Sequence, residues 1–354
     1  MTESELLIYG ANGFTGSLIA ERANARGLRP ILAGRNREAL EPLAKQLGLA
    51  FRVFDLESEA LVREGLRGAR AVLHCAGPYS KTSRPMLDAC LKERVHYLDI
   101  TGEYTVLEDV LARDGEARAA GIVAIPAVGF DVVPTDCMAA SLAAALPGAV
   151  RLELAFGGEM EPSPGTAKTT VENLHVGALV RENGAIVTLK KPRTRDIPFA
   201  SGTRFAMSIP WGDLVTAYHS TGIPNVTVYM VIPRAAARAA GLLRFWAPLL
   251  RLKPVIGFLQ REVETRAKGP SEEHRRTSRM SVWGRAEDAA GHAVEGQLEV
   301  PEGYELTVVS ALASVERVLA GAVPPGATTP SRAFGPDFVT KLPGSGPLHV
   351  HRVS

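Results

Sequence analysis

Near its start the chain runs from the apolar stretch Leu6-Leu7-Ile8-Tyr9 straight into Gly10-Ala11-Asn12-Gly13-Phe14-Thr15-Gly16. This strand, glycine turn and helix start narrow the fold more than any other feature. In such a turn Gly10 permits the tight backbone path, Gly13 lets the chain approach a diphosphate closely, and Gly16 allows the helix to pack on the strand. The exposed N–H groups and the positive helix end then face an anion. A bare G-x-x-G-x-x-G also arises as a chance turn. Its place directly after a strand, with a complete parallel half behind it, favours a dinucleotide site over that explanation.

The first 135 residues alternate short β-branched runs with longer helical patterns, the rhythm of parallel strands joined by crossover helices. Strands are predicted near 5–9, 29–33, 50–54, 70–75, 95–99 and 121–127, and helices near 14–26, 37–47, 57–66, 83–92 and 105–119. After Pro134 the rhythm changes. Residues 151–157, 185–191, 203–208 and 226–232 read as strands with no regular helix between each pair, and 275–285 and 293–299 as two more. Ala311–Leu319 reads as a helix and the proline- and glycine-rich stretch from Pro324 to Pro347 as loop. The expected fold class is α/β: an N-terminal Rossmann doubly wound parallel sheet plus a central α+β domain with a mixed or antiparallel sheet. The expected boundaries are 1–135, 136–310 and a C-terminal segment 311–354.

At 354 residues the chain has room for two cores. Forty basic against 38 acidic residues leave a net charge of +2, too even for a nucleic-acid footprint. Three cysteines without a C-x-x-C pair suggest neither a disulfide framework nor a metal site, and a reducing cytoplasm is expected. No apolar run reaches the roughly 18 residues that span a bilayer. One window stands apart: Leu214 to Arg261 carries no acidic residue, while Arg234, Arg238, Arg244, Arg251, Lys253 and Arg261 are basic. It admits peripheral membrane contact through 234–261. Buried helices whose arginines snorkel are the plainer explanation.

The second predicted strand ends in Gly34-Arg35-Asn36, where an NAD enzyme usually carries an acid for the ribose 2′-hydroxyl. A cation there favours NADP, since Arg35 can fork onto a 2′-phosphate with Asn36 and Arg37 nearby. Asp55, after the third strand, can accept from the adenine amino group or simply form an Asx turn.

Ligands in doubly wound sheets bind at the carboxyl ends of the strands. There the sequence places His74-Cys75-Ala76-Gly77-Pro78-Tyr79, Asp99-Ile100-Thr101-Gly102-Glu103 and Gly129-Phe130-Asp131. Tyr79, Asp99, Glu103 and Asp131 can exchange a proton in a reduction and Thr101 can orient a carbonyl. Tyr79 is the first expected donor and Asp131 the second; Asp99 and Asp131 have a plain alternative as caps, and Tyr79 as packing against a cofactor. Cys75 is a poor nucleophile candidate, because neighbouring His74 points to the other face of a strand. None of the seven tyrosines has a lysine four residues on, which disfavours the short-chain dehydrogenases.

Five motifs in order now carry a resemblance: Tyr9 to Gly16, Ala33-Gly34-Arg35-Asn36, Cys75-Ala76-Gly77-Pro78-Tyr79, Tyr97-Leu98-Asp99-Ile100-Thr101-Gly102-Glu103 and Gly129-Phe130-Asp131-Val132-Val133-Pro134-Thr135-Asp136. Together they resemble the saccharopine dehydrogenase-like oxidoreductases, a group that includes bacterial trans-acting enoyl reductases. The resemblance covers mainly the first 140 residues. It implies NADP(H), a Rossmann domain that the C-terminal segment returns to complete, and a central domain that covers the substrate and supports a homodimer. The cofactor is then expected on Gly10, Ala11, Asn12, Gly13, Phe14, Thr15, Gly16, Arg35, Asn36, Asp55, Cys75, Ala76, Gly77, Pro78 and Thr101. The expected reaction is hydride transfer from NADPH to a C=C or C=N bond of a small or lipid-like substrate. The alternative is a non-catalytic NADP-binding module peripheral to a membrane.

Overall fold

In a strand, successive side chains point to opposite faces, so an unbroken apolar run such as Leu6-Leu7-Ile8-Tyr9 suits a strand covered on both sides. The computed structural model describes residues 5–159, 161–167, 177–237, 257, 262 and 266–353. It divides into two units, 1–133 with 304–334 and 134–303 with 335–354.

The first unit is a parallel sheet of seven strands. Its first six are β1 (Leu6–Tyr9), β2 (Ile31–Gly34), β3 (Phe51–Val53), β4 (Ala71–His74), β5 (His96–Asp99) and β6 (Val123–Ile125). The helices between them are α1 (Phe14–Ala25), α2 (Arg37–Leu47), α3 (Glu59–Leu66), α4 (Tyr79–Glu93), α5 (Tyr104–Ala112) and α6 (Asp114–Ala120). With a late strand, β15 (Gly326–Ala327), the order is β15-β6-β5-β4-β1-β2-β3. Leu7 lies opposite both Ile31 and Val72, so the winding reverses at β1 and the glycine loop emerges at that switch point.

Alternation builds two cores. Leu6, Ile8, Leu32, Leu73 and Leu98 face one way with Ile19 and Leu40; Leu7, Ile31, Val72 and Tyr97 face the other with Val62 and Met86. The first core also takes Val308, Leu312 and Val315 from a helix near the C-terminus, Gly303–Leu319.

The second unit begins with α7 (Val133–Ala145) and is a mixed sheet of nine strands. These are β7 (Ala149–Gly158), β8 (Ala178–Glu182), β9 (Ala185–Leu189), β10 (Thr194–Phe199), β11 (Gly202–Ser208), β12 (Asn225–Val231), β13 (Arg279–Asp288), β14 (Ala293–Pro301) and β16 (His349–Val353). Its later described helices are α8 (Asp213–Thr221) and α9 (Glu272–Thr277), whereas α10, the helix Gly303–Leu319 already met, and α11 (Pro330–Phe334) belong to the first unit. The order is β10-β11-β12-β7-β13-β14-β16, with the hairpin β8-β9 joined to β12, and only β12 and β7 pair in parallel. One face packs on α7, where a side chain at Gly284 would come within 2.7 Å of Leu142 and Met138. The other face buries Trp283 among Ile197, Phe199 and Tyr229.

Several boundaries differ from the expectations. The segment expected as 311–354 is shared out: 304–334 goes to the Rossmann unit and 335–354 to the second unit, where β16 pairs with β14. α10 starts eight residues before the predicted helix because Leu306-Thr307-Val308-Val309 is β-branched and buried almost throughout, which blurs the helical period. The predicted strand 275–285 starts inside α9, which Ser271 caps by accepting the N–H of His274 at 3.1 Å. Strands β8 and β10 were not expected. Asn183-Gly184, both at positive φ, makes the tight turn that pairs β8 with β9. The presumed loop 324–347 holds β15, α11 and a 3₁₀ turn at Val339–Lys341.

Among the described residues no helix is long and apolar enough to cross a membrane. Most of the basic window 234–261 lies outside the described residues. Arg234 lies within them, bonded to both oxygens of Asp196 (2.7 and 3.0 Å) and stacked 4.5 Å from the Phe205 ring.

Candidate active site

The glycine loop is shaped by close approach. Gly10 has φ +82°, and a Cβ there would lie 2.8 Å from the Ala76 nitrogen. A Cβ at Gly16 would overlap the Gly10 carbonyl oxygen. Only glycine lets the loop after β1 press on the loop after β4 and on α1 at once. The expectation for Ala11 needs correction: its side chain is fully buried and its N–H, like that of Gly10, donates to the Ala33 carbonyl (3.2 and 2.8 Å). Gly13 turns its N–H to the Gly10 carbonyl at 3.0 Å. An anion here must therefore be met by the first turn of α1, through Phe14, Thr15 and Gly16. Gly13 brings no capping side chain to that turn, and the turn carries no acid. A diphosphate fits such an uncapped positive end.

At the far end of this edge, Arg35 is exposed just after β2. The Asn36 oxygen caps α2 by accepting the Ala39 N–H (3.2 Å), so what Asn36 offers a ligand is its amide N–H. Arg37 stacks 5.4 Å from the Phe51 ring. Asp55 accepts the Glu57 N–H at 2.9 Å in an Asx turn. Sequence reasoning passed over Tyr9, whose hydroxyl donates to the Phe54 carbonyl (3.1 Å) and ties β1 to the end of β3. Burial pushes the Tyr9 phenol up to about 12; the charge of Asp55 adds to this and Arg35 opposes it, so the three side chains share one neighbourhood.

On the other side of β1, two carboxylates fasten three loops. Glu103 accepts the N–H groups of Tyr79 and Ser80, one on each oxygen and both at 2.8 Å, so it caps α4 from the loop after β5. Asp99 is fully buried; one oxygen accepts from Thr101 N (3.0 Å) and Ala127 N (2.8 Å), the other from the Tyr97 hydroxyl (2.6 Å). Burial raises its pKa to about 6 against those three hydrogen bonds. Both acids are thus engaged in holding loops. Thr101 is likewise corrected: it is fully buried and its hydroxyl accepts the Glu103 N–H at 3.0 Å, so it shapes the loop and does not face a cofactor.

Tyr79, the first expected proton donor, is also corrected. Its ring lies in the core with Val72, Met86 and Tyr97, and its hydroxyl donates to the His74 carbonyl at 3.3 Å. Burial first, then the charges around it, drive the phenol well above its ordinary value. A buried, engaged phenol with so weak an acidity is no donor. His74 packs edge-on to Tyr79 (5.3 Å) with Nε2 3.0 Å from the Thr82 hydroxyl. Burial lowers its pKa to about 3. Cys75 is half-buried beside the glycine loop, and burial followed by the Asp99 charge raises its thiol far above neutrality, which removes it as a nucleophile. Ala76, Gly77 and Pro78 follow it, Gly77 exposed and Gly77–Pro78 cis.

Asp131 differs from these. It follows β6, and its carboxylate rests on Gly102, where a Cβ would lie 2.7 Å from Oδ2. Loss of surrounding water raises its pKa to about 7. Of the described acids at this end of the sheet it is the one whose affinity suits proton exchange at neutral pH.

Other basic residues take structural roles. Arg181 bonds the Leu214 and Gly184 carbonyls (both 2.5 Å), Arg193 pairs with Glu182, and Arg195 pairs with Glu153. Among the described residues no group of three or more His, Cys, Asp or Glu could hold a metal ion.

Residues 6–125 match the family described as Saccharopine dehydrogenase NADP binding domain. The human protein named Saccharopine dehydrogenase-like oxidoreductase is 31% identical over 151 residues, covering 37% of this chain and 35% of that protein. The Trans-acting enoyl reductase of Mycobacterium ulcerans is 33% identical over 144 residues, covering 38% and 34%. The likeness thus spans about a third of each relative's length. In fold, the whole chain follows saccharopine dehydrogenase (L-Glu forming) from Saccharomyces cerevisiae, with a TM-score of 0.67 at 13% identity over 99% of both chains. Homospermidine synthase from Legionella pneumophila, solved with NAD, gives 0.65 at 10% identity over 99% of this chain and 92% of that one. Residues 6–125 are thus similar to a saccharopine dehydrogenase NADP-binding domain.

Proposed function

We propose that this protein is an NADPH-dependent reductase that adds a hydride and a proton across a C=C or C=N bond, with Asp131 as proton donor. The observation that carries the reading is the Asp131 carboxyl, seated on Gly102 and titrating near neutrality at the carboxyl end of the sheet. The relatives named enoyl reductase and oxidoreductase support the reaction class.

Bound NADPH supplies the hydride. The first turn of α1 receives the diphosphate, and Arg35 forks onto the 2′-phosphate. Loss of surrounding water lifts the Asp131 carboxyl well above the ordinary aspartate range, so it can carry a proton, give it to the substrate atom left with the electron pair and recover one from solvent afterwards. Glu103 and Asp99 keep the loops around it in register. In the same reading the substrate is small or lipid-like, and the protein works in the cytoplasm as a homodimer.

The test is NADPH consumption with α,β-unsaturated thioesters and with imines formed from 2-oxo acids and amines. Asp131→Asn is expected to keep NADPH affinity and to lose turnover by roughly 10²–10⁴-fold. Turnover unchanged in that variant would remove Asp131 from the chemistry. NADPH binding without consumption of any substrate would favour a cofactor-binding module.

A further inference from the structure

We infer that Thr307, on the C-terminal helix α10, is a positioning residue for Asp131: it anchors the stretch Val128–Asp131 and thereby sets where the Asp131 carboxyl lies. The inference rests on the reading of Asp131 as proton donor, and it adds to the site a residue 176 positions further along the chain.

The stretch is clamped from two sides. On the α10 side, the Phe130 N–H donates to Thr307 Oγ1 at 3.0 Å, and the Ser310 hydroxyl donates to the Val128 carbonyl at 2.7 Å. Between these bonds Gly129 passes through a narrow gap. Its Cβ would lie 3.0 Å from Thr307 Cγ2 and 3.5 Å from Ile100 Cβ. On the β5 side, Asp99 accepts the Ala127 N–H on its carboxylate and the Val128 N–H on its carbonyl, both at 2.8 Å.

This clamp holds a strained backbone. Ala127 sits at φ +60°, a conformation that is unfavourable for a non-glycine residue and persists only where its surroundings over-determine it. Asp131 is the next residue after the last clamped one, and its carboxyl completes the path by resting on Gly102. Thr307 thus acts on Asp131 through the backbone. Without its oxygen the Phe130 N–H would seek water, the stretch would relax, and more water would reach the part-buried Asp131 carboxyl.

The test reads the carboxyl itself. The full chain is labelled with ¹³C-aspartate, the Asp131 signal is assigned with Asp131→Asn, and its pH titration is followed in the wild type, Thr307→Val and Thr307→Ser. Valine keeps the shape and loses the acceptor; serine keeps the acceptor. We expect Thr307→Val to weaken proton binding at Asp131 by about tenfold or more as water enters. Thr307→Ser should restore the wild-type curve, and NADPH affinity, read by fluorescence, should stay within about twofold in both. A wild-type Asp131 titration in Thr307→Val would overturn the inference, even with a lower melting temperature. Should the valine variant not fold, Gly129→Ala, which presses a methyl group against Thr307, must weaken proton binding in the same way; an unchanged curve there overturns it too. Because no turnover enters this measurement, its failure is separate from that of the proton-donor reading, which Asp131→Asn decides.

Discussion

The carboxylate of Asp131 lies on the bare Cα of Gly102, with 2.7 Å between its Oδ2 and the place where a Cβ would stand. A methyl group at 102 meets an atom that can yield only by moving the reacting group. We therefore expect Gly102→Ala to cut turnover by at least about tenfold, since sub-ångström to ångström displacements of catalytic groups carry penalties of that order. NADPH affinity should hold, because in this reading Gly102 seats the proton donor and the first turn of α1 receives the diphosphate. Steady-state rates with a parallel fluorescence titration check it, and equal loss of both would place Gly102 in the cofactor site.

Tyr79→Phe should leave turnover nearly unchanged. Its hydroxyl bonds the His74 carbonyl inside the core, so its removal touches stability by about 0.5–1.5 kcal/mol and no reacting atom. Comparing kcat with the urea midpoint separates the two effects. A large fall in kcat at unchanged stability would return Tyr79 to the proton-donor role.

Why the sequence reading expected a proton donor at Tyr79, which the structure buries, has a physical cause. The glycine turn and the strand ends are local features whose meaning follows from backbone sterics within a few residues. The helix expected near 83–92 begins at Tyr79 and tolerates Pro85 inside. Tyr79 is thereby part of the helix, and its ring packs in the core with Val72 and Met86. Ala11 and Thr101 were placed correctly along the chain and wrongly in depth, because burial of one side chain depends on loops that only tertiary structure brings together. Thr307 carried no local mark at all: a threonine in a β-branched helix declares its role only when the loop after β6 comes to rest on it.

Arg35 is exposed and stands where a 2′-phosphate would arrive. Arg35→Ala should weaken NADPH by about 10–100-fold, the scale of a charge-assisted fork, while NADH affinity and the melting temperature change little. Calorimetric titration with both nucleotides checks the selectivity. Equal loss of both would show that Arg35 recognises something common to the two.

Glu103→Ala removes two acceptors from the N–H groups of Tyr79 and Ser80. Ser80 is exposed and can turn to water, whereas Tyr79 is buried. The expected loss is about 1–3 kcal/mol, in the range for stranding a buried donor and losing a cap. Urea unfolding measures it, and Glu103→Gln, which still offers one acceptor, should fall between the two.

The pH dependence of stability should show opposing contributions from three buried groups. Asp131 and Asp99, raised to about 7 and about 6, bind protons more tightly folded than unfolded. Their contribution is full below the ordinary aspartate pKa of about 3.9 and is lost as pH rises through the folded values. His74, lowered to about 3, binds its proton more weakly when folded. Its contribution is full above the ordinary histidine pKa of about 6.5 and is lost as pH falls towards 3. Each group has a limiting slope of about 1.4 kcal/mol per pH unit. Between about pH 4 and 6.5 the histidine and the aspartates oppose each other, whereas between 6.5 and 7 the decline belongs mainly to Asp131. Asp131→Asn should therefore gain stability relative to wild type as pH rises from 5 to 8, and His74→Gln should flatten the acid limb below 6.5. Urea midpoints at pH 4, 5, 6.5 and 8 test both. A constant difference between Asp131→Asn and wild type across that range would mean that Asp131 titrates as an ordinary carboxylate, and the proton-donor reading would lose its support.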